Sequence, residues 1–246
     1  LKTNVEKFSG QKVTAEALEN SILIHNKNRA LLRRLYQLRR DNPGLLKAKE
    51  VMAIVQSSML MLKEEHNRLL EELLPQLEAR EVSKDKKPKV VLTGGLCFTP
   101  QTDILDLMEA AGANIVDDDI FVGFRYFATD VELDKEPIEA LMGRYLKNTP
   151  PDPCEADWEI DWADYVIDMV NRNEAQGVVS LLMKYCPPHM TYYPDIRRKL
   201  VKVGIPELLL EIEHDVVSLE QVRTRVETFI GMLQEANNVA SKSKSS

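Results

Sequence analysis

This sequence has few cysteines, no long apolar run and no excess of basic charge. The three cysteines, Cys97, Cys154 and Cys186, are far apart and odd in number, which argues against a disulfide framework and is typical of a reducing compartment. No apolar stretch reaches the ~18 residues that a membrane-spanning helix needs. The net charge of −7 provides no basic field for a phosphate backbone. We therefore expect a cytoplasmic protein without a membrane or nucleic-acid partner.

The composition is that of a globular chain, with 44% hydrophobic and 29% charged residues. The 246 residues suffice for one large domain or two small ones. Patterning along the chain predicts a helical segment at 1–80, a charged linker at 81–89, an α/β domain at 90–236 and a polar tail at 237–246. Because the first residue is Leu1 rather than Met, we expect a fragment of a longer protein.

Helical periodicity dominates the first segment. Thr14 is a candidate N-cap for one helix, and the turn-forming residues 41–44 end it. A second helix is predicted over 46–77, with a kink at Pro75 because proline lacks the backbone N–H. The two helices predict a hairpin. A basic cluster in the first helix is interpreted as a solvated face, with docking of an acidic partner or a missing segment as the alternative. The cluster consists of Arg29, Arg33, Arg34, Arg39 and Arg40.

Short apolar strands alternate with helical patterns in the rest of the chain. The predicted strands lie at 90–92, 114–116, 177–182 and 207–210. The predicted helices lie near 101–111, 135–147, 159–174, 191–203 and 218–235. This alternation predicts an α/β fold, in which a Rossmann-like, four-stranded parallel sheet with helices on both faces follows the N-terminal helical hairpin.

Four loops are expected at the carboxyl edge of such a sheet, where ligands bind. They contain Gly94 and Gly95, the acidic run 117–119, the segment 185–189 and the segment 211–214. The two glycines permit close approach of a ligand, but the spacing of a nucleotide-binding motif is missing. The three aspartates are interpreted as solvated loop acids, with a divalent cation site as the alternative.

Cys186 is the most informative residue at this edge, because Pro187 and Pro188 follow it. A thiolate ligand followed by proline recurs in iron–sulfur proteins. Zinc is a competing interpretation, with Cys186 and His189 as half of a site. A Cys–His nucleophile pair and a structural cysteine also remain open from the residues alone.

Several motifs resemble the benzoyl-CoA reductase and 2-hydroxyacyl-CoA dehydratase family, and together they cover most of the chain. The downstream motifs are Lys184-Tyr185-Cys186-Pro187, Tyr193-Pro194, Gly204-Ile205-Pro206-Glu207-Leu208, Glu211-Ile212-Glu213 and Arg223-Thr224-Arg225-Val226-Glu227-Thr228-Phe229. The upstream motifs are Asn28-Arg29, Val116-Asp117-Asp118 and Gly123-Phe124-Arg125-Tyr126. The segment 177–233 resembles the C-terminal part of such subunits.

The resemblance implies a subunit that pairs with a related second subunit and holds a [4Fe–4S] cluster through three cysteines. A separate, ATP-hydrolysing activator supplies single low-potential electrons in this family. Cys186 matches the third cysteine, whereas Cys97 and Cys154 match no ligand motif, so we expect no stable cluster and no activity in this chain alone. Residues implied to lie near the cluster or substrate are His189, Tyr192, Tyr193, His214, Gly94 and Gly95.

The reaction implied by the resemblance is reduction of a CoA thioester to a radical anion. Within the family, the general character of the sequence favours reduction of an aryl-CoA over dehydration of a 2-hydroxyacyl-CoA. A noncatalytic α/β binding or assembly module is the alternative outside the family's chemistry, and the missing cysteine ligands favour it.

Overall fold

The computed structural model describes residues 2–82, 87–94, 102–153, 161–212 and 219–243, which form an α/β fold. The strands are β1 (Lys89–Thr93), β2 (Asn114–Asp119), β3 (Gly177–Met183) and β4 (Glu207–Ile212). The helices of these ranges are α1 (Lys2–Ser9), α2 (Ala15–Asp41), α3 (Ala48–Leu60), α4 (Lys63–Glu78), α5 (Thr102–Ala110), α6 (Phe124–Phe127), α7 (Pro137–Leu146), α8 (Trp162–Arg172), α9 (Pro187–Lys202) and α10 (Leu219–Ser243). The predicted α/β class is confirmed.

The four strands pair in parallel in the order β2-β1-β3-β4. In this register, Val91 of β1 lies opposite Val178 of β3. Ser180 of β3 lies opposite Leu209 of β4. All carboxyl ends therefore meet at one edge, as the alternation of strands and helices predicts. Residues 83–86 of the predicted linker lie outside the described residues, as do Gly95, Cys97, Cys154 and His214.

Helices cover both faces of the sheet, because successive strand residues point to opposite sides. Val90 and Leu92 enter a core formed with α2, α3, α4, α5 and α10. Val91 enters a second core formed with α8 and α9. The first core joins the N-terminal helices directly to the sheet, and the division of the chain into domains stays a prediction.

The N-terminal helices differ from the predicted hairpin, since α1 precedes α2 and the second predicted helix is divided. Thr14 caps α2 as expected, since its hydroxyl accepts the N–H of Ala17 at 3.1 Å. The second predicted helix is instead two helices, α3 and α4, and Pro75 lies inside α4. At the break, the ammonium of Lys63 binds the carbonyl of Ser58, one of the carbonyls that the end of α3 leaves without a helical partner. None of the described helices has the length and apolarity that crossing a bilayer requires.

The interpretation of the acidic run as solvated is wrong, and that of the basic cluster is wrong in part, because Arg29 and Arg39 are buried whereas Arg34 is exposed. Asp117 and Asp118 belong to β2 rather than to a loop and are 0% exposed, as is Asp119. The guanidinium of Arg39 lies 2.9 Å from Asp118, and that of Arg40 lies 2.9 Å from Asp117. Since burial of an unpaired carboxylate is costly, the basic face of α2 has to turn inwards to neutralise β2.

Candidate functional site

Cys186 lies where β3 ends and α9 begins. The chain turns tightly here: the N–H of Cys186 donates to the carbonyl of Met183 at 3.3 Å, and Tyr185 has a φ of 65°. Cys186 is the N-cap of α9, and Pro187 and Pro188 occupy the first helical turn, where the missing N–H groups are not needed. Its free, half-buried thiol is thereby held at the carboxyl edge of the sheet, where ligands of parallel sheets bind.

His189 is the partner of this thiol. Its Nδ1 lies 3.3 Å from Sγ of Cys186, and its side chain is 2% exposed. Burial lowers the pKa of His189; the charge of Asp152 opposes this shift and that of Arg125 adds to it. The imidazole is therefore neutral at pH 7, and Nδ1 can accept from the thiol or donate to the thiolate.

Two aromatic rings enclose His189. The indole of Trp162 meets the imidazole edge-on, with ring centroids 5.2 Å apart. Phe121 makes a similar contact at 6.1 Å. Edge-to-face packing of this kind fixes the orientation of a ring as well as excluding water. The imidazole therefore has little freedom to turn away from Cys186.

Asp119 holds Trp162 in place. The Nε1–H of Trp162 donates to Oδ2 of Asp119 at 2.7 Å, and the hydroxyl of Thr93 donates to the same oxygen at 3.2 Å. Nε of Arg125 lies 2.8 Å from Oδ1. Burial raises the pKa of Asp119, whereas Arg125 and the two hydrogen bonds oppose that shift. Contacts thus run from the end of β2 through Trp162 and His189 to Cys186.

Arg125 ties this cluster to the segment before α8. Its guanidinium donates to the carbonyls of Pro150 at 3.0 Å and Pro151 at 2.6 Å. Its side chain is 6% exposed, so the ion pair with Asp119 is largely shielded from water. The arginine therefore fixes the loop that passes over the end of β2.

The roles of Asp119, Arg125 and Trp162 were missed from the sequence. Asp119 was assigned to a solvated run, and Arg125 was noted only as part of a motif. Nothing near Trp162 in the sequence marks it, because its position depends on the packing of α8 against the sheet. A usable signal was available for Asp119: an acid directly after an apolar strand lies at the ligand-binding edge of a parallel sheet.

Gly94, one of the expected site residues, closes the end of β1. Its φ is +133°, and a Cβ built on it would lie 2.0 Å from the carbonyl oxygen of Leu181. Only glycine fits this close approach between β1 and β3. The residue is thus required by the backbone at the edge of the site.

The two tyrosines of α9 make different contacts. Tyr193 donates its hydroxyl to Glu207 at 3.0 Å, so it links α9 to β4. Burial, followed by the charge of Glu207, raises the pKa of Tyr193. Tyr192 packs instead against the core that α8 and α9 form with the sheet. The structure therefore brings His189 to Cys186, whereas Tyr193 bonds to β4.

The described residues alone do not provide the ligands of a [4Fe–4S] cluster. Cys186 is the free cysteine among them, and they contain no group of three His, Cys, Asp or Glu side chains that is suited to a metal ion. A cubane of this type is held by several thiolates. Among the described residues, Cys186 alone could provide one such thiolate.

Comparison with known proteins identifies one family. The family model described as "2-hydroxyglutaryl-CoA dehydratase, D-component" matches residues 1–233. The chain is 32% identical over 235 residues to the beta subunit of lactoyl-CoA dehydratase from Anaerotignum propionicum, covering 95% of this chain and 62% of that protein.

Two further relatives have different stated substrates. Identity is 26% over 230 residues with a benzoyl-CoA reductase subunit of Thauera aromatica, covering 93% of this chain and 60% of that protein. Identity is 27% over 228 residues with the (R)-phenyllactyl-CoA dehydratase beta subunit of Clostridium sporogenes, covering 92% of this chain and 59% of that protein. The chain thus spans about three fifths of the length of these relatives.

Proposed function

The chain belongs to the 2-hydroxyglutaryl-CoA dehydratase D-component family, and from this premise we propose that it is part of one subunit of an enzyme that acts on a CoA thioester. The resemblance found in the sequence is confirmed by the family match. Three relatives are named as subunits of CoA-thioester dehydratases or of a benzoyl-CoA reductase, which supports a partner subunit for this chain. An ATP-hydrolysing activator and a cytoplasmic location belong to the same proposal.

For the reaction, dehydration of a 2-hydroxyacyl-CoA is the first candidate. The relatives named as lactoyl-CoA and phenyllactyl-CoA dehydratase subunits support it. Reduction of an aryl-CoA, which the sequence favours, is the second candidate and has the support of the relative named as a benzoyl-CoA reductase subunit. For either reaction, we expect the substrate at the carboxyl edge of the sheet, where ligands of parallel sheets bind.

The placement of Cys186 carries the proposal. We infer that it contributes one thiolate ligand to a [4Fe–4S] cluster in the intact subunit and that this chain alone holds none. Such a cluster supplies single electrons at low potential. His189 would donate an Nδ1–H bond to the ligand sulfur, and hydrogen bonds of this kind set the potential of a cluster. Trp162 and Phe121 keep water away from the imidazole.

The test is the metal content of the product of the complete gene, purified without oxygen. We expect about four iron and four sulfide per chain, the stoichiometry of a cubane. Cys186→Ala should lose most of both, whereas the matched variants Cys97→Ala and Cys154→Ala should keep them. Iron and sulfide absent from all four proteins would favour the noncatalytic module instead.

The reaction class is tested with the complete complex, its partner subunit and the activator. Lactoyl-CoA and benzoyl-CoA are offered separately under ATP, and products are separated by chromatography. An enoyl-CoA product identifies dehydration, and a dearomatised ring identifies reduction. An iron-loaded complex that turns over neither of these thioesters, nor phenyllactyl-CoA, nor 2-hydroxyglutaryl-CoA, would contradict both candidates.

A further inference from the structure

Two adjoining cavities lie along one face of α2. The larger, about 570 Å³, is bounded by α2, by the junction of α3 and α4, and by Tyr126 of α6. The smaller, about 140 Å³, lies between α2 and α7. Ser21 and His25 of α2 line both of them. Together they form one continuous recess in the helical part of the molecule.

Positive charge is concentrated around this recess. Arg29 and Arg144 line the smaller cavity and are 8% and 7% exposed. Lys63 lines the larger one, together with one exposed carboxylate, Glu64. In a chain with a net charge of −7, such a local excess of cations needs an explanation.

Most of this positive charge is not neutralised within the described ranges. Arg144 donates to the carbonyls of Thr129 and Tyr126, both at 3.0 Å. Within those ranges neither Arg144 nor Lys63 has a carboxylate at ion-pair distance, whereas Arg29 shares Asp130 with a neighbouring arginine. Largely buried cations bonded only to neutral oxygens favour an anionic ligand.

The position of Lys63 is fixed before any ligand arrives. Its ammonium lies 2.7 Å from the hydroxyl of Tyr126 and 2.8 Å from that of Ser58. Ser58 donates in turn to Asn28 at 2.6 Å, and the amide of Asn28 donates to His66 at 2.8 Å. Ser58, Asn28 and His66 are buried. This network therefore holds the ammonium of Lys63 at one wall of the cavity.

The electrostatics of His25 agree with this arrangement. Burial lowers the pKa of His25, the charges of Lys63, Arg29 and Arg144 lower it further, and only Glu64 opposes the shift. The imidazole between the two cavities therefore stands in a net positive field. An anion in the recess would relieve the repulsion among these groups.

Apolar side chains make up much of the remaining wall, beside the polar Asn20, Ser21 and Ser58. Ile24, Met59, Met61 and Leu62 line the larger cavity beside the aromatic ring of Tyr126. Leu62 is 79% exposed. A ligand that fits both parts of the recess must carry negative charge and an apolar or aromatic group.

The recess lies beyond the carboxyl end of β2, and Cys186 follows the carboxyl end of β3 at the same edge of the sheet. Along α2 towards its N-terminus, Arg39 contacts Ile115 in β2, Arg33 contacts Phe127 beyond the carboxyl end of β2, and Asn26 contacts Val131 farther on. The residues that line the recess come still earlier in α2. A long ligand held at this recess can therefore extend towards the carboxyl edge.

We propose that this recess binds the phosphate-bearing end of a CoA thioester, with its phosphates at Lys63, Arg29 and Arg144. The assignment rests on the proposed function for the identity of the ligand, and on the cavity and its charges for the site. The adenine ring and the adjoining chain would lie against Tyr126 and the methionines. Sulfur–aromatic and stacking contacts suit such a group.

The test is calorimetric titration of the 246-residue chain with CoA, 3′-dephospho-CoA, pantetheine and pyrophosphate. We expect CoA to bind most tightly, dephospho-CoA more weakly and pantetheine not measurably. Lys63→Gln removes a cation, and Ser21→Glu places a carboxylate at the exposed rim; each should raise the Kd for CoA by about tenfold. The matched variants Lys27→Gln and Ala30→Glu make the same changes of charge on α2 outside the recess. Their Kd for CoA should stay within about twofold of the parent value.

Thermal unfolding of each variant shows whether it is folded, and Ser21→Glu covers the case in which Lys63→Gln is not. Unchanged CoA affinity in a folded Ser21→Glu protein would overturn the site. Pyrophosphate binding as tightly as CoA would overturn the CoA assignment in favour of a site for free phosphates. Selective CoA binding beside an iron-loaded complex that turns over no thioester would reject the proposed function and leave the site standing.

Discussion

Arg39 and Asp118 form an ion pair in which both side chains are shielded from water. Nη1 of Arg39 lies 2.9 Å from Oδ2 of Asp118, and the two side chains are 1% and 0% exposed. Nε of Arg39 donates to the carbonyl of Ile115 at 2.8 Å, and the hydroxyl of Tyr36 donates to Asp118 at 2.7 Å. The pair therefore joins α2 to β2, and with it the recess of α2 to the sheet that carries Cys186.

Removing the arginine should be costly. Arg39→Met leaves a buried carboxylate without its cation, and we expect the free energy of unfolding to fall by about 3–5 kcal/mol. Arg34→Met is the matched control, since Arg34 pairs with Glu78 on the surface, and its cost should be at most about 1 kcal/mol. Urea denaturation followed by circular dichroism measures both. Similar losses in the two variants would contradict a special role for the buried pair.

Gly94 offers a second stability test. A methyl group at this position would approach the carbonyl oxygen of Leu181 to 2.0 Å at a φ of +133°. Gly94→Ala should therefore destabilise the protein by about 3 kcal/mol or more, through overlap and backbone strain together. Gly143→Ala is the control: Gly143 lies inside α7 with nothing within 4 Å of the added Cβ, so up to about 1 kcal/mol of stabilisation is expected. Equal thermal midpoints for the two variants would count against the close approach.

The sheet could be predicted from the sequence because its information is local. Each strand is a short apolar run followed by a turn or a charged segment, and the alternation with helices restricts the pairing to parallel. The N-cap at Thr14 is equally local. The break between α3 and α4 has no glycine or proline to mark it in the sequence. The contacts that Lys63 makes there, with Ser58 and with Tyr126 63 residues later, are visible only in the fold.

The burial of charged residues in the two clusters could not be predicted, for the same physical reason. Nothing in either run shows that arginines of α2 meet aspartates more than seventy residues later, and a charged run taken alone is most often solvated. The position of Cys186 and His189 at the carboxyl edge of the sheet follows from strand order and spacing, and their role in a site stays a prediction. The supports at Asp119, Arg125 and Trp162 come from three separate segments that only the fold brings together.

The buried imidazole of His66 predicts a loss of stability in acid. Burial lowers the pKa of His66, so the unfolded chain binds the proton more readily than the folded chain. The stability that the neutral imidazole contributes is fully present above the ordinary histidine pKa of about 6.5. It is lost as the pH falls from there through the lower pKa that His66 has in the folded protein. Nδ1 of His66 accepts from Asn28 at 2.8 Å, and protonation would break that bond.

His66→Gln isolates this effect because glutamine does not titrate. Chemical denaturation at several pH values between about 7.5 and 5 gives the slope of unfolding free energy against pH for both proteins. The variant should be less stable at the upper end but should lose less on acidification. Parallel slopes for the two proteins would mean that His66 is not held neutral by the fold.

The last prediction concerns the cluster itself. Cys186 is a single thiolate, and the described residues contain no group of three metal-binding side chains. Anaerobic reconstitution of the 246-residue chain with iron and sulfide should therefore give well below the four iron and four sulfide of a cubane. Cys186→Ala should show the same low content. Stoichiometric cluster in the parent chain would instead make Cys97 or Cys154 a ligand, and single alanine variants of these two cysteines would identify which, since loss of a needed thiolate removes the cluster.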